Sequence, residues 1–411
     1  LERWLPAAGG LLQEPMFAGA AARAEQARTY SPGSLRPETA RALYGAELHF
    51  SSSRIDVLAG CRFAHFLQYG LRAQEREPAE FDSRFYGTFV HDVLEHVVQQ
   101  TEREGGFAAV PCSRVQELAQ ERMEQNAQTL LETFPDSGRT GYLLRRTFDE
   151  VTQVVDELYD ELSVSAFRPK FCELEFSARG ALPGVAFAGE RCRGVVEGFV
   201  DRVDVWQSGG RPYVRVVDYK TGKKSFDYTN VLHGRGLQML LYLFALVRQG
   251  GHLLHGEPLP AGVLYFPARI ERVSVRDRLA QAEIEKERRK QLRRSGVLLN
   301  SDPVLEAMEP CGGSPRFLPY TLDKEGRKTG DLASFVQLAQ LERFVFRTVA
   351  VLGDELADGC IDPDPCIRDA KDSACAFCPY SEVCAGHEQP RWLKKITAEE
   401  FWQTLERREH G

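Results

Sequence analysis

The sequence predicts an α/β domain, with a central β-sheet flanked by helices and extended by a helical insertion. Three observations support this prediction. Apolar residues recur at helical spacing over much of the chain before residue 164. From about residue 171, runs rich in β-branched and aromatic residues follow one another, separated by Gly and Pro. Helical patterns then return between and after these runs, an alternation that is typical of a sheet covered by helices.

Length and composition limit the kinds of protein that this chain can be. It has 411 residues, of which 43% are hydrophobic and 27% charged, as in a soluble chain with one large or two medium domains. It contains no run of 18 apolar residues, so we expect no transmembrane helix and no membrane partner. The net charge of −7 does not favour a nucleic-acid-binding protein, although it leaves room for a local basic groove. We expect a cytoplasmic protein that keeps its cysteines reduced.

The first residues are interpreted as a linker. Residues 1–50 are rich in Ala, Gly, Pro and Arg, with one helical stretch near Pro37–Tyr44. Because the sequence starts at Leu1 rather than Met, we interpret it as a fragment that begins in a linker or in the tail of an upstream domain. Residues 51–390 are then expected to form the main domain, followed by a C-terminal tail over 391–411.

Several helices are predicted ahead of the sheet. Three serines, Ser51–Ser53, are expected to cap a helix that begins near Arg54. Residues 84–104 have apolar side chains at helical spacing. Residues 112–163 are interpreted as a helical insertion, with amphipathic helices over 112–133 and 139–163.

The sheet and its covering helices are predicted from residue 171 onwards. Strands are expected at Phe171–Ser177, Arg193–Trp206, Tyr213–Tyr219 and Gly262–Phe266, with a hairpin turn at residues 208–211. Helices are expected at Val231–Gln249, at 276–294, where the sequence is highly charged, and at 331–357. Residues 360–390 are rich in Cys, Pro and Asp and are expected to form loops.

The strongest candidate site lies at the end of an apolar strand, in the string Asp218-Tyr219-Lys220. Asp201, on the preceding strand of the predicted hairpin, can lie beside Asp218. Two carboxylates held together repel each other unless a cation lies between them, and oxygen ligands of this kind suit Mg²⁺ or Mn²⁺. Lys220 would point to the same face as Asp218, where it could orient or deprotonate an attacking water or neutralise developing charge. The alternative is a surface hairpin with a salt bridge.

Two pairs of residues at helical spacing supply further candidates. His91 and Glu95 lie one turn apart, and His91 could be an additional metal ligand; alternatively, it is an ordinary packed or exposed histidine. Gln238 and Tyr242 have the same spacing in the helix that follows the Asp-x-Lys strand. For this pair the alternative is a polar stripe on an amphipathic helix.

A cysteine cluster near the C-terminus has the spacing of a metal site. The segment Cys375–Cys384 reads Cys-x2-Cys-x5-Cys, with Cys378 as its second cysteine. A fourth soft ligand is needed, for which Cys61 is a candidate. The alternatives are free thiols, or Cys360 or Cys366 as the fourth ligand. Four thiolates suit Zn²⁺ or an iron–sulfur cluster, and the spacing does not distinguish the two.

A basic segment could contact nucleic acid. Residues 286–294 contain six basic residues: Lys286, Arg288, Arg289, Lys290, Arg293 and Arg294. The segment is interpreted either as a solvated helix face or as an arm that contacts phosphates. No Gly-x4-Gly-Lys-Ser/Thr string occurs in the sequence, so we expect this chain not to hydrolyse ATP itself.

Taken in order, the candidate motifs resemble those of the RecB-like nucleases of the PD-(D/E)XK class. That family runs Gly-x3-His, Gly-x2-Asp, Asp-x-Lys and Gln-x3-Tyr. The corresponding pairs in this chain are Gly87/His91, Gly198/Asp201, Asp218/Lys220 and Gln238/Tyr242. The resemblance therefore implies a restriction-endonuclease-like α/β core that hydrolyses phosphodiester bonds.

The resemblance also assigns roles to residues. It implies a Mg²⁺ or Mn²⁺ site whose ligands are His91, Asp201, Asp218 and the backbone carbonyl of Tyr219. It implies that Lys220 is catalytic and that two further side chains line the site, those of Gln238 and Tyr242. An acidic residue on the strand before Asp201, either Glu173 or Glu175, is expected to assist.

The cysteine pattern limits the resemblance to two groups within the RecB-like nucleases. One cysteine before the nuclease motifs and three after them is similar to the iron–sulfur staple of the AddB family and of the CRISPR-associated RecB-like exonucleases. This implies a 4Fe–4S cluster bound by Cys61, Cys375, Cys378 and Cys384. Three further strings, Leu48–Asp56, Gln68–Leu71 and Arg391–Lys395, resemble the AddB family in particular.

Such a resemblance implies a DNA exonuclease module of a helicase–nuclease. It would degrade unwound single-stranded DNA, on the 5′-ended strand, during double-strand break repair by recombination. Its partners would be DNA and an AddA-like subunit, and a helicase-like region would precede residue 51. The alternatives are a stand-alone CRISPR-associated exonuclease and a non-catalytic DNA-binding or docking module.

Overall fold

The structure is a computed structural model that describes residues 33–74, 83–133, 138–222, 225–270, 281–384 and 390–410, together with Gly19 and Arg23. Most of the predicted linker lies outside the described residues, as does the start of the charged helix predicted from residue 276. In the described part of the chain, no helix has both the length and the apolar character that a membrane span requires.

Helices lie ahead of the sheet, between its strands and after it. The first group comprises α1 (Pro37–Tyr44), α2 (Ser52–Gly60), α3 (Arg62–His65, continued by a π-helical turn over Phe66–Gly70), α4 (Ser83–Arg103), α5 (Cys112–Thr133) and α6 (Gly138–Leu162). The later helices are α7 (Tyr228–Leu232), α8 (Gln238–Gln249), α9 (Gly251–Leu254), α10 (Gln281–Leu292), α11 (Asp302–Met308), α12 (Phe335–Ala357) and α13 (Ala398–His410). The predictions that correspond to α4, α5 and α6 are confirmed to within one residue at each end.

Within the described residues, eight strands form one mixed sheet. They are β1 (Leu48–Ser51), β2 (Arg168–Phe176), β3 (Val185–Ala188), β4 (Arg193–Ser208), β5 (Arg211–Lys220), β6 (Leu259–Pro267), β7 (Ser295–Leu299) and, after the separate pair β8 (Tyr320–Leu322) and β9 (Lys328–Gly330), β10 (Leu332–Ala333). Their order is β1-β4-β5-β6-β7-β10, and β2 and β3 also pair with β4. A short parallel pair, β11 (Cys366–Ile367) and β12 (Arg391–Trp392), lies apart from this sheet.

The centre of the sheet is formed by β4, β5 and β6. The antiparallel register of β4 and β5 pairs Arg202 with Val217. The parallel register of β5 and β6 pairs Asp218 with Tyr265. Because β5 has a strand on each side, its carboxyl-terminal residues are held in the middle of the sheet, next to the loop that follows.

The helix α4 covers this part of the sheet. Four apolar residues, Val90, Val93, Leu94 and Val97, recur along one face of α4 and are fully buried. They pack α4 between the sheet and the insertion helices α5 and α6. His91 follows Val90 directly, so it lies at the edge of the buried face.

The single helix predicted over Val231–Gln249 is wrong, because the chain breaks between α7 and α8. Gly234 and Gly236 have φ angles of 79° and 68°, which L side chains rarely adopt. The Gly236 amide donates to Asp56 Oδ1 at 2.7 Å, which fixes the break. Apolar spacing on both sides of the glycines produced the wrong prediction. The break makes Gln238 the first residue of α8.

The structure differs from the predictions in three smaller respects, at the start of α12, at the start of the domain and in the C-terminal region. The helix predicted from residue 331 starts at Phe335, because Ser334 and Gln337 form a capping box. Leu48 begins β1, ahead of the expected domain start at residue 51, and β1 pairs in parallel with β4. The region expected to be a tail contains α13, whose Phe401 ring packs 5.0 Å from that of Tyr228.

Candidate active site

The carboxyl end of β5 and the middle of β4 bring the two predicted aspartates together. The β4–β5 register, in which Arg202 faces Val217, places Asp201 across from Asp218. Asp218 is 4% exposed, and the Asp201 side chain is 12% exposed. Asp201 Oδ2 also accepts a hydrogen bond from the Tyr219 amide at 2.7 Å. The two carboxylates are therefore held at a fixed, largely dry position.

His91 reaches the same position from α4. Its Nε2 atom donates to the carbonyl oxygen of Tyr219 at 3.0 Å, and its Nδ1 atom lies 3.5 Å from Asp201 Oδ2. The imidazole also packs edge-on against the Tyr219 ring, with the ring centroids 5.8 Å apart. The histidine thus faces the backbone carbonyl and the aspartate that the sequence predicted as its fellow ligands.

Lys220 completes the predicted set. Its ammonium group forms an ion pair with Asp218 Oδ2, and it lies 5.9 Å from the centroid of the Tyr265 ring. Both residues are on β5, two positions apart, so they project from the same face of the strand. The structure therefore places the partly exposed ammonium group of Lys220 beside the acidic pair.

A third carboxylate, that of Glu173, joins the site. Single ligand atoms of His91, Glu173 and Asp201 lie within 4.8 Å of one another. Glu173 lies on β2 between Cys172 and Leu174, whose partners on β4 are the residues on either side of Asp201. Its φ angle is 48°, which is uncommon for a residue with a side chain.

From the sequence, Glu173 and Glu175 are equal candidates for the assisting acidic residue, because both lie on the strand before Asp201. The structure places Glu173 in the site, whereas Glu175 accepts a hydrogen bond from the Ser177 hydroxyl at 2.6 Å. Alternation along a strand puts residues 173 and 175 on one face, but the register of β2 and β4 places Glu173 across from Asp201 and Glu175 opposite Phe199.

Two carboxyl groups of the site, those of Asp201 and Glu173, have raised pKa values. Burial, reinforced by the charge of Asp218, raises the pKa of Asp201 to about 6. Burial and the charges of Asp201, Glu95 and Asp218 raise the pKa of Glu173 to about 7. Carboxylates that repel each other in this way are stabilised as anions by a cation between them. The donor set of nitrogen and carboxylate oxygen suits a divalent metal ion.

Tyr242 lies behind the site in close contact with Gly198. The tyrosine hydroxyl lies 3.5 Å from the carbonyl oxygen of Glu197, and its ring stacks on that of Phe176 with the centroids 5.0 Å apart. A β-carbon at Gly198 would lie 2.0 Å from the Tyr242 hydroxyl oxygen. The glycine of the Gly-x2-Asp motif therefore makes room for this tyrosine. Gln238 is half-buried at the start of α8, one helical turn from Tyr242.

Comparison with known proteins agrees with this geometry. The sequence model of the PD-(D/E)XK nuclease superfamily matches residues 49–385, which is most of the chain. The chain belongs to the PD-(D/E)XK nuclease superfamily. Membership confirms the predicted fold class and the predicted enzyme class, a nuclease. The matched range contains each of the residues predicted for the active site.

Several named proteins are similar in sequence to this chain. The chain is 34% identical over 357 residues to the B-type subunit of the ATP-dependent helicase/deoxyribonuclease of Moorella thermoacetica, covering 85% of this chain and 31% of that protein. It is 30% identical to proteins of the same name from Thermoanaerobacter sp. and Desulforudis audaxviator, covering 89% and 90% of this chain and 33% of each relative. These relatives confirm the predicted resemblance to the AddB family. The chain spans about a third of their length.

A buried ionic network that no local sequence pattern indicated lies next to the candidate active site. Arg202 donates to Asp204 through two nitrogens, at 2.8 and 3.0 Å, and to the Tyr219 hydroxyl at 2.9 Å. Arg215 donates to Asp204 at 2.8 Å and lies 3.0 Å from Glu161 of α6. All of these ionic side chains are buried. The network therefore joins the insertion helices to the strand that carries Asp218 and Lys220.

The four predicted cluster ligands line one cavity of the nuclease domain. Cys61, Cys375, Cys378 and Cys384 surround about 160 Å³ of space, together with prolines and aromatic residues. Burial is the main cause that raises the pKa of Cys61 to about 11. The two alternative ligands lie elsewhere: Cys360 Sγ is 3.4 Å from Asp362 Oδ2, and Cys366 Sγ is 3.3 Å from the carbonyl oxygen of Ala59. The cavity therefore lies between the loop after α2 and the C-terminal loops.

The basic residues of the segment 286–294 differ in their surroundings. Arg294 is 2% exposed and forms an ion pair with Glu161 at 2.7 Å, so its interpretation as part of a phosphate-binding arm is wrong. Arg293 donates through Nε to the carbonyl oxygen of Leu318 at 3.0 Å. Lys290 pairs with Glu287 on the exposed surface of α10.

Proposed function

We propose that this domain hydrolyses phosphodiester bonds of DNA in a reaction that depends on a divalent metal ion. The observation that carries the proposal is that His91 lies beside Asp201, and Lys220 beside Asp218 on the neighbouring strand, in a member of a nuclease superfamily. A surface hairpin or a docking module needs no such arrangement. The names of the relatives, which include deoxyribonuclease, support DNA as the substrate.

The metal ion, Mg²⁺ or Mn²⁺, would be held by His91, Asp201, Asp218 and the carbonyl oxygen of Tyr219. The raised pKa values of Asp201 and Glu173 support this assignment, since a bound cation would favour the ionised carboxylates against the burial and the repulsion that raise these values. When bound, such an ion polarises a phosphoryl oxygen and lowers the pKa of a bound water.

The remaining chemistry belongs to the side chains. The ammonium group of Lys220 lies at the Asp218 carboxylate, where it can orient the attacking water and neutralise charge that develops on the phosphate. Glu173 carries a carboxyl group whose pKa is about 7, so near neutral pH it is partly protonated when no metal ion is present. Gln238 and Tyr242 would line the same site.

Metal dependence can be tested with end-labelled single-stranded DNA. We expect the domain to shorten the strand in Mg²⁺ or Mn²⁺, to stop in EDTA, and to resume when excess metal ion is restored. Ca²⁺ serves as a comparison, since it tolerates oxygen ligands but prefers higher coordination numbers. Cleavage that continues at full rate in EDTA would contradict the metal site.

We further propose that Cys61, Cys375, Cys378 and Cys384 bind a 4Fe–4S cluster. Four thiolates around one zinc ion, each about 2.3 Å from it, would lie about 3.8 Å apart. Among the described residues, no three of these sulfur atoms lie within 4.8 Å of one another. A wider arrangement around a cavity suits a larger cofactor. The cluster would staple the loop after α2 to the C-terminal loops.

The cluster can be tested with a pair of serine variants. We expect anaerobically purified parent protein to be brown, with broad absorbance near ~400 nm and bound iron, as Cys-ligated clusters are. Cys384→Ser should lose the colour, whereas Cys311→Ser, at a half-buried cysteine outside the cavity, should keep it. A colourless parent that contains zinc would contradict the proposal.

The relatives also support a place in an AddAB-type helicase–nuclease. In this assignment the domain acts in the cytoplasm on unwound single-stranded DNA, on the 5′-ended strand, during double-strand break repair, with an AddA-like subunit as partner. The names of the relatives, which join a helicase to a deoxyribonuclease, favour this assignment over a stand-alone CRISPR-associated exonuclease. None of the ten cysteines, all of which lie in the described part of the chain, forms a disulfide bond, which suits a reducing compartment. Strands labelled at one end or the other test the polarity.

A further inference from the structure

A second cavity opens beside Lys220. It has a volume of about 300 Å³ and is lined by the end of β5, by β6 and the residues after it, and by the α10–β7 connection. Lys220 and Tyr265 belong both to this cavity and to the surroundings of the Asp218 carboxylate. The cavity therefore adjoins the candidate active site.

The lining of this cavity is cationic. Besides Lys220 it contains two guanidinium groups, those of Arg269 and Arg293, and no carboxylate among the residues that the structure describes there. The hydroxyl of Ser295 accepts from the Phe226 amide at 2.9 Å, so its own hydrogen stays available as a donor. The cavity thus offers several hydrogen-bond donors and an excess of positive charge.

Neither guanidinium is neutralised by a neighbour. Arg269 is exposed and forms no ion pair with any described residue; it lies over the Tyr86 ring, 5.0 Å from the centroid. Arg293 donates to the carbonyl oxygens of Leu318 and Tyr320 and, within the described chain, to no carboxylate. Stacking on Tyr86 and these carbonyl contacts hold both groups in place while their charge remains unpaired.

We propose that this cavity binds a phosphate group of the DNA strand next to the scissile one. The proposal rests on the proposed function, because the ligand is the same strand that enters the active site. A planar guanidinium pair with hydroxyl donors and no carboxylate selects a phosphodiester oxygen. Since Lys220 lines both places, a strand with its scissile phosphate at Asp218 extends its next phosphate into the cavity.

The decisive measurement is binding, not cleavage. The dissociation constant of a fluorescein-labelled oligothymidylate would be measured by anisotropy in EDTA over a series of salt concentrations. We expect Arg269→Gln to weaken binding roughly 10-fold, as for the loss of a hydrogen bond between charged groups. The slope of log K against log salt should fall by about 0.7, the value for one phosphate contact on a single strand. Arg269→Lys should keep the slope, because it keeps the charge.

A matched control is Arg103→Gln, at the exposed end of α4, which lies about 18 Å along the helix from His91 because each residue adds about 1.5 Å. It should bind like the parent. The proposal is overturned if Arg269→Gln keeps the affinity and salt slope of the parent while its melting temperature is unchanged. Because no metal ion is needed, a parent that binds the strand but does not cut it would refute the proposed function alone.

Discussion

His91 Nε2 lies 3.0 Å from the carbonyl oxygen of Tyr219, although the two residues are 128 positions apart in the chain. The amide of the same tyrosine donates to Asp201 at 2.7 Å. The backbone of Tyr219 therefore fixes one candidate ligand on α4 and another on β4. Any change that moves Tyr219 is expected to disturb both.

The buried arginine behind Tyr219 is predicted to be critical for stability. Arg202→Met leaves Asp204 without one of its two arginine partners and the Tyr219 hydroxyl without its donor. Breaking a buried ion pair by removal of one partner typically costs about 3–5 kcal/mol in the free energy of unfolding. Urea unfolding followed by circular dichroism measures this loss.

The matched control is Arg193→Met on the same strand, where the arginine is exposed. It should change the free energy of unfolding by less than about 0.5 kcal/mol. If Arg202→Met costs no more than the control, the network contributes nothing to stability and its role in supporting Tyr219 must be rejected.

Gly198→Ala is predicted to impair cleavage through Tyr242. The added β-carbon would lie 2.0 Å from the tyrosine hydroxyl oxygen, so the ring or the strand that carries Asp201 must move. A displacement of about 1 Å at a reacting centre reduces rates by roughly 100-fold. Single-turnover cleavage of labelled DNA measures the loss.

A second substitution separates this contact from a general effect on the strand. In Gly198→Ala/Tyr242→Phe the hydroxyl is absent, and the nearest remaining ring atom is 3.2 Å from the added carbon. The double variant should recover part of the lost activity, and the remainder of the loss reflects the φ angle of 155° at position 198, which strains any residue with a side chain. If it remains as impaired as Gly198→Ala, the tyrosine is not the cause.

The raised pKa of Asp201 predicts how stability depends on pH without metal ions. The folded-state pKa is about 6, against an ordinary value of 3.8. Between these values the folded protein keeps a proton that the unfolded chain releases, so the free energy of unfolding falls as pH rises from about 4 to about 6. For this one group the fall is at most about 3 kcal/mol.

Asp201→Asn isolates this contribution, because the amide has no proton to lose in this range and can still accept from the Tyr219 amide. Urea unfolding in EDTA should show that the parent loses stability relative to the variant as pH rises to 7. Adding Mg²⁺ at pH 7 should stabilise the parent more than the variant. Parallel pH profiles would show that Asp201 ionises as easily in the fold as in the unfolded chain.

Local patterns predicted much of the fold. The apolar spacing of α4 and the β-branched runs of β4 and β5 depend on neighbours a few residues away, so the sequence reveals them directly. The break at Gly234 was missed because the apolar spacing resumes after it. The parallel pairing of β1 with β4 joins segments about 145 residues apart, and no local pattern encodes such a contact.

The same distinction holds at the site. Asp218 and Lys220 follow from one strand, and Asp201 from a hairpin, so the sequence placed them together. Glu173 could not be separated from Glu175, because only the pairing of β2 with β4 reveals which of the two lies across from Asp201. Arg294 was expected on the surface, since only the fold reveals that Glu161 of α6 reaches it.

The role of Lys220 decides whether this domain is a nuclease of the proposed kind. Parent protein, Lys220→Ala and a control, Lys170→Ala at an exposed position of β2, would be compared on end-labelled single-stranded DNA with Mg²⁺. We predict that the parent and Lys170→Ala cut alike and that Lys220→Ala is at least about 100-fold slower, the usual loss for a group that stabilises developing charge. Cleavage by a folded Lys220→Ala variant at the rate of the parent would contradict the account.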